Sequence, residues 1–585
     1  MPTLEWIGKD KVVNHHREVP YRVLDRQYSY DETGQHTEDN GSENMIIHGD
    51  NLEALKALLP LYEGKVKCIY IDPPYNTGNE GWVYNDNVND PKLKKWLGEV
   101  VGKEGEDLSR HDKWLCMMYP RLKLLQRLLS ANGIIFISIS DIESSRLRMI
   151  CDEIFGTQNF VANIIWNNNY SPRNDAKDIT YTTDNLIAYS KNPGWQPKRL
   201  ERTETMDARY TSPDGDPTPW TSSPAHAPGA RSHKGMVYAI QHPYTGNFFY
   251  PPADRHWSLE QSKILTYMNE WAKYRLENIN DVEVRASICG EFDLSTMPDV
   301  KAIVLDELVE VSKKKVEERY QQGCWPKFYF TSSGHGGLRV KKYKESMDGR
   351  AITTLWPYEE VGTTTEAKNE LKRIFDGTVP FNTPKPSRLL ERVIYIASDP
   401  NSIILDSFAG SGTTAHAVLN MNKADGGNRK FILAEMMDYA DSLTAERVKR
   451  VIGGYGEEKK AVEGTGGNFS YYELGPVLLL PDGNLNEEVG PQKIREYVYY
   501  METKESLPAT QSKIEPYFMS LYRNTAYYFY YERERVTTLD HAFLATVLTK
   551  AEGYIIYADL CAIPQETLRK HNITFKKIPR DIARL

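Results

Sequence analysis

At 585 residues the chain is too long for one hydrophobic core and implies two to four domains, with an ordinary globular composition of 40% hydrophobic and 26% charged residues. No apolar run approaches the ~20 residues a membrane helix needs, and the polar stretch 1–20 lacks a signal-peptide core. The six cysteines (68, 116, 151, 289, 324 and 561) form no C-x-x-C pair, which argues against a disulfide framework or a zinc site and for a reducing cytosol. A net charge of −8 is awkward for a nucleic-acid binder, although only one face of a multidomain chain need be basic. The basic clusters Lys313-Lys314-Lys315, Arg339 to Lys344 and Arg121 to Arg127 read first as solvated faces.

In chain order, an N-terminal extension (1–44) precedes a stretch that alternates strand and helix (45–192). A strand over Met45–His48 leads to a helix over Leu52–Leu59 and then to the apolar, β-branched run Val66–Ile71, closed by Asp72-Pro73-Pro74-Tyr75. A polar, Gly/Asn-rich stretch from Asn76 to Asp107 reads as a mobile loop beside the site. Apolar residues at helical spacing predict a helix over Trp114–Leu129, kinked at Pro120. A strand over Ile134–Ile139, a helix capped by Asp141 and strands near Asn163–Trp166 and Leu186–Tyr189 follow. Such alternation predicts a mostly parallel sheet with helices on both faces.

Between 193 and 355 the pattern breaks into short strands, loops and crowded aromatics, with a helix expected over Leu259–Leu276. The aromatics include Trp220, Tyr238, Phe249 and Trp257. They suit base stacking no better than the core of a small β-rich domain, so none is singled out. Alternation resumes over 356–455. Glycines at 453, 454 and 456 then open a linker into a small C-terminal α/β domain (456–585), with strands at Tyr527–Tyr531 and Gly553–Ala558 and a helix near Pro564–Lys570.

Two places carry chemistry. At Asp72–Tyr75 the prolines lack N–H groups, so their carbonyls are fixed acceptors beside a carboxylate and a flat ring. That set suits a planar base with an exocyclic amino group: acceptors for its hydrogens and a stacking platform. The second place is Ser402–Thr414, a strand, a Gly-containing turn and a helix over Thr413–Asn420; the next strand, Lys430–Ala434, ends in Glu435. This is the layout of a Rossmann-type half, with glycines admitting a ligand to the backbone and an acid for a ribose diol. Ala415 stands where a dinucleotide fingerprint would need a third glycine, so a nucleoside cofactor without a pyrophosphate fits better.

Together the two motifs resemble the amino-methyltransferases of DNA, in which a D-P-P-Y quartet binds the target base and an F-x-G-x-G loop binds S-adenosyl-L-methionine. The quartet comes first here, the order of the β class. Phe381-Asn382-Thr383-Pro384-Lys385-Pro386-Ser387 is similar to that family's Lys-Pro motif. The resemblance narrows to the modification (Mod) subunits of type III restriction systems. It is carried by Trp6-Ile7-Gly8-Lys9, by His48-Gly49-Asp50-Asn51 leading to Asp72–Gly78, by Asp184–Tyr189 and by Asp441–Val448. It covers 45–190 and 356–452; the middle and the C-terminus match only in size and position.

The resemblance implies a Rossmann-like methyltransferase core whose catalytic half is 45–192 and whose cofactor half is 356–455, with 193–355 as an inserted target-recognition domain. It implies Asp72, Pro73, Pro74 and Tyr75 as catalytic residues. It implies Asp50, Asp72, Lys385, Asp406, Phe408, Ala409, Gly410, Gly412, Thr413 and Glu435 as cofactor contacts, with no metal. Aspartate at the head of the quartet points to N6 of adenine, since N4-cytosine enzymes more often carry serine there. Double-stranded DNA, a homodimer and a cytoplasmic, DNA-associated prokaryotic setting are implied as well. Three alternatives stay open: an N4-cytosine enzyme, an RNA adenine methyltransferase and a catalytically silent DNA-recognition subunit. Motif order and the large insertion weigh for DNA, and intact Asp72, Pro73, Tyr75 and Gly410 weigh against a silent subunit. No G-x-x-x-x-G-K-[ST] occurs, so ATP-driven cleavage would need a separate restriction (nuclease/helicase) subunit.

Overall fold

The computed structural model describes residues 3–76, 110–170, 179–456, 461–508, 515 and 517–580. The expected loop after Asn76 therefore lies outside the described residues. The chain forms two compact units, 1–198 with 353–585, and 199–352.

The first unit is built on one eleven-stranded sheet. Its strands are β1 (Arg22–Asp31), β2 (Gly34–His36), β3 (Met45–His48), β4 (Val66–Ile71), β5 (Leu129–Ile139), β6 (Phe160–Asn167), β7 (Thr183–Ser190), β8 (Leu355–Trp356), β9 (Ile403–Asp406), β10 (Lys430–Glu435) and β11 (Asn468–Val477). Their order is β8-β6-β7-β5-β4-β9-β10-β3-β11-β1-β2. The six strands from β5 to β11 are parallel. They read as apolar runs because helices cover both faces; Ile69, Ile71, Ile135, Ile137, Leu405 and Ile432 all belong to one core. β7 runs antiparallel to both β5 and β6, and β1 antiparallel to β11. Two segments expected outside the core thus supply it with strands: 1–44 gives β1 and β2, and the stretch after 456 gives β11. β11 lies between β3 and β1, and of these three strands only β2 is at the edge. Strands join a sheet through backbone hydrogen bonds, which carry no mark in the sequence of the partner they meet.

The helices that frame the site are α1 (Asn51–Tyr62), α2 (Arg110–Leu128), α3 (Asp141–Phe155), α4 (Thr364–Ile374), α5 (Ser387–Ala397), α6 (Thr413–Asp425) and α7 (Glu446–Gly453). α2 starts four residues before the expected Trp114 and carries Pro120 inside. It is buried nearly all round, which explains apolar residues beyond one stripe. The N-cap of α3 is Ser140, with Asp141 in its first turn.

The second unit holds a four-stranded sheet that includes Tyr274–Glu277 and Ala302–Leu305, and a three-stranded sheet of Phe328–Phe330, Leu338–Tyr343 and Trp220–Pro224. The helix expected over Leu259–Leu276 stops at Met268, and Tyr274–Glu277 becomes a strand paired with Ala302–Leu305. Its tertiary pairing overrides helical propensity: Trp271, between the two, buries its indole and donates to the Phe328 carbonyl at 2.7 Å.

Candidate active site

β4 and β9 lie side by side, Ile69 paired with Leu405. From β4 the chain crosses through α2 to β5 on one side; from β9 it crosses through α6 to β10 on the other. A reversal of this kind opens a crevice at the carboxyl ends of the strands, where ligands of open α/β sheets bind. Asp72 leaves one strand and Asp406 ends the other, although they are 334 positions apart. A narrow cleft there is lined by Tyr70, Asp72, Phe381, Thr383–Lys385, Asp406, Phe408–Ser411, Thr413 and Thr414.

Asp72 is buried, and its Oδ2 accepts from Lys385 Nζ at 2.6 Å. Its Oδ1 is buried with no hydrogen-bond partner. Burial raises the carboxyl above its ordinary pKa, against the Lys385 charge and, least of all, the nearby Tyr75 hydroxyl, which itself makes no hydrogen bond of acceptable geometry. Trp114 Nε1 donates to the Pro74 carbonyl at 2.7 Å, and Ser140 Oγ to the Tyr75 carbonyl at 3.2 Å. Among the described residues no donor reaches the Pro73 carbonyl. Asn76 then takes a left-handed backbone (φ 56°) and is pinned by its side-chain amide to Glu143 Oε1 at 2.5 Å and to the Arg110 carbonyl at 3.2 Å. The segment is thus held on both sides of the quartet. The Tyr75 ring is partly exposed, with Lys385 Nζ 5.0 Å from its centroid.

Beside it the turn Phe408–Gly412 is positioned from three directions. Asp406 accepts from the Phe408 amide at 3.0 Å and the Thr414 hydroxyl at 2.5 Å. Glu435, at the end of β10, accepts from the Gly410 amide at 2.8 Å and the Met437 amide at 3.0 Å. Thr444 Oγ1 donates to the Gly410 carbonyl at 2.6 Å. Gly410 and Gly412 both have positive φ, 51° and 78°, and a Cβ on Gly412 would meet the Thr444 carbonyl at 3.0 Å. Burial, with the Asp72 and Glu435 charges nearby, pushes Asp406 up to about 7 against its two donors. Phe408, Ala409 and Thr413 line the same cleft.

Asp50 has a visible structural use. It is the N-cap of α1, Oδ1 accepting from the Leu52 amide at 2.7 Å, and Arg121 Nη2 lies 3.4 Å away. Its neighbour Asn51 donates to the Ser407 carbonyl at 3.0 Å, which ties that corner to the glycine turn. Lys385, expected at the cofactor's amino-acid end, lines the cleft but puts its ammonium on Asp72.

A cluster behind the turn is absent from the expected site. Arg447 is fully buried; Nη1 donates to Thr413 Oγ1 at 2.7 Å and Ser411 Oγ at 3.1 Å, and Nη2 to Glu370 Oε2 at 3.0 Å and His416 Nδ1 at 3.1 Å. Glu370 Oε1 accepts from Ser387 Oγ at 2.8 Å, two residues after Lys385. One ion pair therefore links the glycine turn to the Lys385 segment. Burial drives His416 down to about 4, so it is neutral here. The stretch Asp441–Val448 contains Arg447, but a lone arginine on a helix carries no sign of what it meets.

The family described as DNA methylase, N6_N4_Mtase, matches residues 66–446. The Mod subunit of the type III restriction-modification enzyme StyLTI of Salmonella typhimurium is 30% identical over 479 residues, 77% of this chain and 62% of its own length. The EcoP15I Mod subunit of Escherichia coli is 28% identical over 458 residues, 74% of this chain and 64% of its own. The type II methyltransferase M.KpnI of Klebsiella pneumoniae is 29% identical over 420 residues, 70% of this chain and 84% of its own. The chain thus spans about three fifths of the length of the two Mod subunits. Among solved structures, the cytosine-N4-specific PvuII DNA methyltransferase aligns with a TM-score of 0.32 and 10% identity, over 69% of this chain and 86% of that one. The matched stretch 66–446 contains the quartet, Lys385, the glycine turn and Glu435: the chain belongs to the DNA methylase family.

Proposed function

We propose that the protein transfers the methyl group of S-adenosyl-L-methionine to N6 of an adenine flipped out of double-stranded DNA. The observation that carries this reading is the buried Oδ1 of Asp72, which has no hydrogen-bond partner; the next carbonyl in the chain is that of Pro73. A buried acceptor without a donor is costly in a native fold. An exocyclic amino group would supply one hydrogen to each of the two acceptors. The cleft also fits the cofactor: a glycine turn that admits a ligand to the backbone and a lysine line it, and the acid at the end of β10 holds that turn. When bound, the cofactor supplies an activated methyl group, so no metal need take part.

The chain's own residues then do positioning and proton chemistry. Accepting both amino hydrogens draws the nitrogen lone pair out of conjugation and holds it for in-line attack, while the carboxylate faces the positive charge that develops on N6. Lys385 fixes one oxygen of Asp72 and leaves the other for the base. The pKa of Asp72, raised by burial, makes it the better acceptor for the departing proton. A base inside a duplex cannot reach this cleft, so the reading requires flipping, with the Tyr75 ring as stacking surface. Asp50, Phe408, Ala409, Gly410, Gly412, Thr413 and Glu435 are proposed to hold the adenosine and ribose, and Asp406 to brace the turn from behind.

The names of the relatives support a role as the modification component of a restriction-modification system; a homodimer, a cytoplasmic setting and a nuclease on a separate subunit are part of the proposal. No helix among the described residues is long and apolar enough to cross a membrane. The test is long-read, modification-sensitive sequencing of DNA from cells expressing the protein or Asp72→Ala. N6-methyladenine at a recurring site with the first and none with the second is expected. Unmodified DNA in both, from folded protein, would overturn the reading.

A further inference from the structure

The net charge of −8 hides an uneven distribution: residues 199–352 hold 21 Lys and Arg against 21 Asp and Glu, so this unit is neutral. Within it, two arginines and a histidine converge without a counter-charge. His226 opens the strand His226–Pro228, which pairs with Arg255–Trp257. Arg255 Nη1 lies 3.4 Å from His226 Nδ1. Four residues before His226 the chain passes through Ser222, an exposed position in the strand Trp220–Pro224. Ser222 Oγ accepts from Arg339 Nε at 2.6 Å and from the Tyr329 hydroxyl at 2.5 Å. This fixes the Arg339 guanidinium by its Nε edge alone. Both arginines act on His226, their charges adding to burial to lower its pKa. Both side chains are partly exposed, and among the described residues neither guanidinium has a carboxylate within 4 Å. Like charges gathered at a surface with no acid between them raise the energy of the free protein, and an anion docking there lowers it.

We infer that Arg255, Arg339 and His226 form a phosphate-binding patch through which the 199–352 unit grips the DNA backbone. The inference rests on the proposed reading of DNA as substrate and assigns residues to a grip which that reading leaves without any. Phosphate is the commitment because about half to two-thirds of protein–DNA hydrogen bonds go to phosphate and sugar, and a cluster of donors with net positive charge suits phosphate oxygens; base readout by the same arginines is an outcome of the test. Guanidinium forks suit phosphate oxygens, and the neutral imidazole offers one more N–H.

The test uses the full chain and fluorescein-labelled 30-base-pair duplexes of several unrelated sequences, titrated across a salt series. For Arg255→Gln/Arg339→Gln the affinity should fall on every duplex alike. The slope of log K against log salt should become shallower by about 0.9 for each phosphate that the protein no longer neutralises. Arg255→Lys/Arg339→Lys should restore most of that slope, since a phosphate needs charge more than a planar fork. Affinity for S-adenosyl-L-methionine should not move. As a check that needs no variant, Arg255 and Arg339 of the unaltered protein should react with phenylglyoxal when free and be protected by duplex. Unchanged slope and no protection would overturn the patch, while a loss confined to one sequence would make these residues base readers instead. If the unaltered protein binds none of the duplexes, it is the reading of DNA as substrate that fails.

Discussion

Asp72 is a carboxylate held half-satisfied, with Lys385 on one oxygen and nothing bonded to the other. If its task is to meet an amino group in the transition state, Asp72→Ala should lower kcat by at least about 10²-fold and leave DNA binding in place. Single-turnover methylation against a binding titration separates the two, and a variant that still methylates at the normal rate would remove Asp72 from the mechanism. Tyr75→Phe should be mild and Tyr75→Ala severe, because the ring face is what the base would use. Asp406 gives a pH signature that needs no substrate. Its carboxyl titrates at about 7 in the fold and at about 3.9 in an unfolded chain. Between those values the folded protein holds a proton that the unfolded chain has lost, so stability falls as pH rises through the window. In Asp406→Asn that fall should be shallower. Calorimetric melts of the ligand-free proteins at pH 5 and pH 7.5 check it, and parallel slopes would mean the group is not shifted.

At the scale of elements, the glycine turn owes its position to α7 as much as to its own glycines. Arg447 donates to Ser411 and Thr413 in front and Glu370 behind, and Glu370 holds Ser387 at the head of α5. Removing one partner of a buried pair leaves the other uncompensated, at about 3–5 kcal/mol. Arg447→Met should therefore lower Tm clearly and weaken binding of S-adenosyl-L-methionine. In Arg447→Met/Glu370→Met the stability should largely return, because no charge is stranded, while binding stays weak because the turn has lost its brace. Melting curves and calorimetric titration on the same samples would show whether the two readouts part company; if binding recovers with stability, the cluster serves only the fold. The ends of β4 and β9 were legible in the sequence because their chemistry is local, an apolar run stopping at Asp72-Pro73-Pro74-Tyr75 or at a glycine turn. Arg447 was not, because its meaning lies in Glu370, 77 positions away. The same reason hid the place of β1 and β11: periodicity marks a strand, but not which strands of which sheet it pairs with.

For the whole molecule, the core sheet shows why two motifs more than 300 positions apart make one site. β4 and β9 are neighbours whose connections leave in opposite directions, so a long excursion between them leaves the crevice intact. Alternation of strand and helix made that architecture readable; the 199–352 unit was not, since short strands and mixed aromatics obey no period. One candidate cleft among the described residues and one 199–352 unit per chain pose a physical problem if the protein flips a base as proposed. The duplex has to be held on both sides of the opened step while unpairing and unstacking cost a few kcal/mol. A second copy is the simplest source of that hold, because a twofold pair presents two such units to one duplex. We therefore expect light scattering at working concentration to report twice the 67.1 kDa of the single chain, and the mass on DNA to fit two chains per duplex. Methylation should then rise more steeply than linearly with enzyme below the dissociation constant of the pair. A protein that scatters as one chain, stays single on DNA and methylates in simple proportion to its concentration would place the whole grip within one copy.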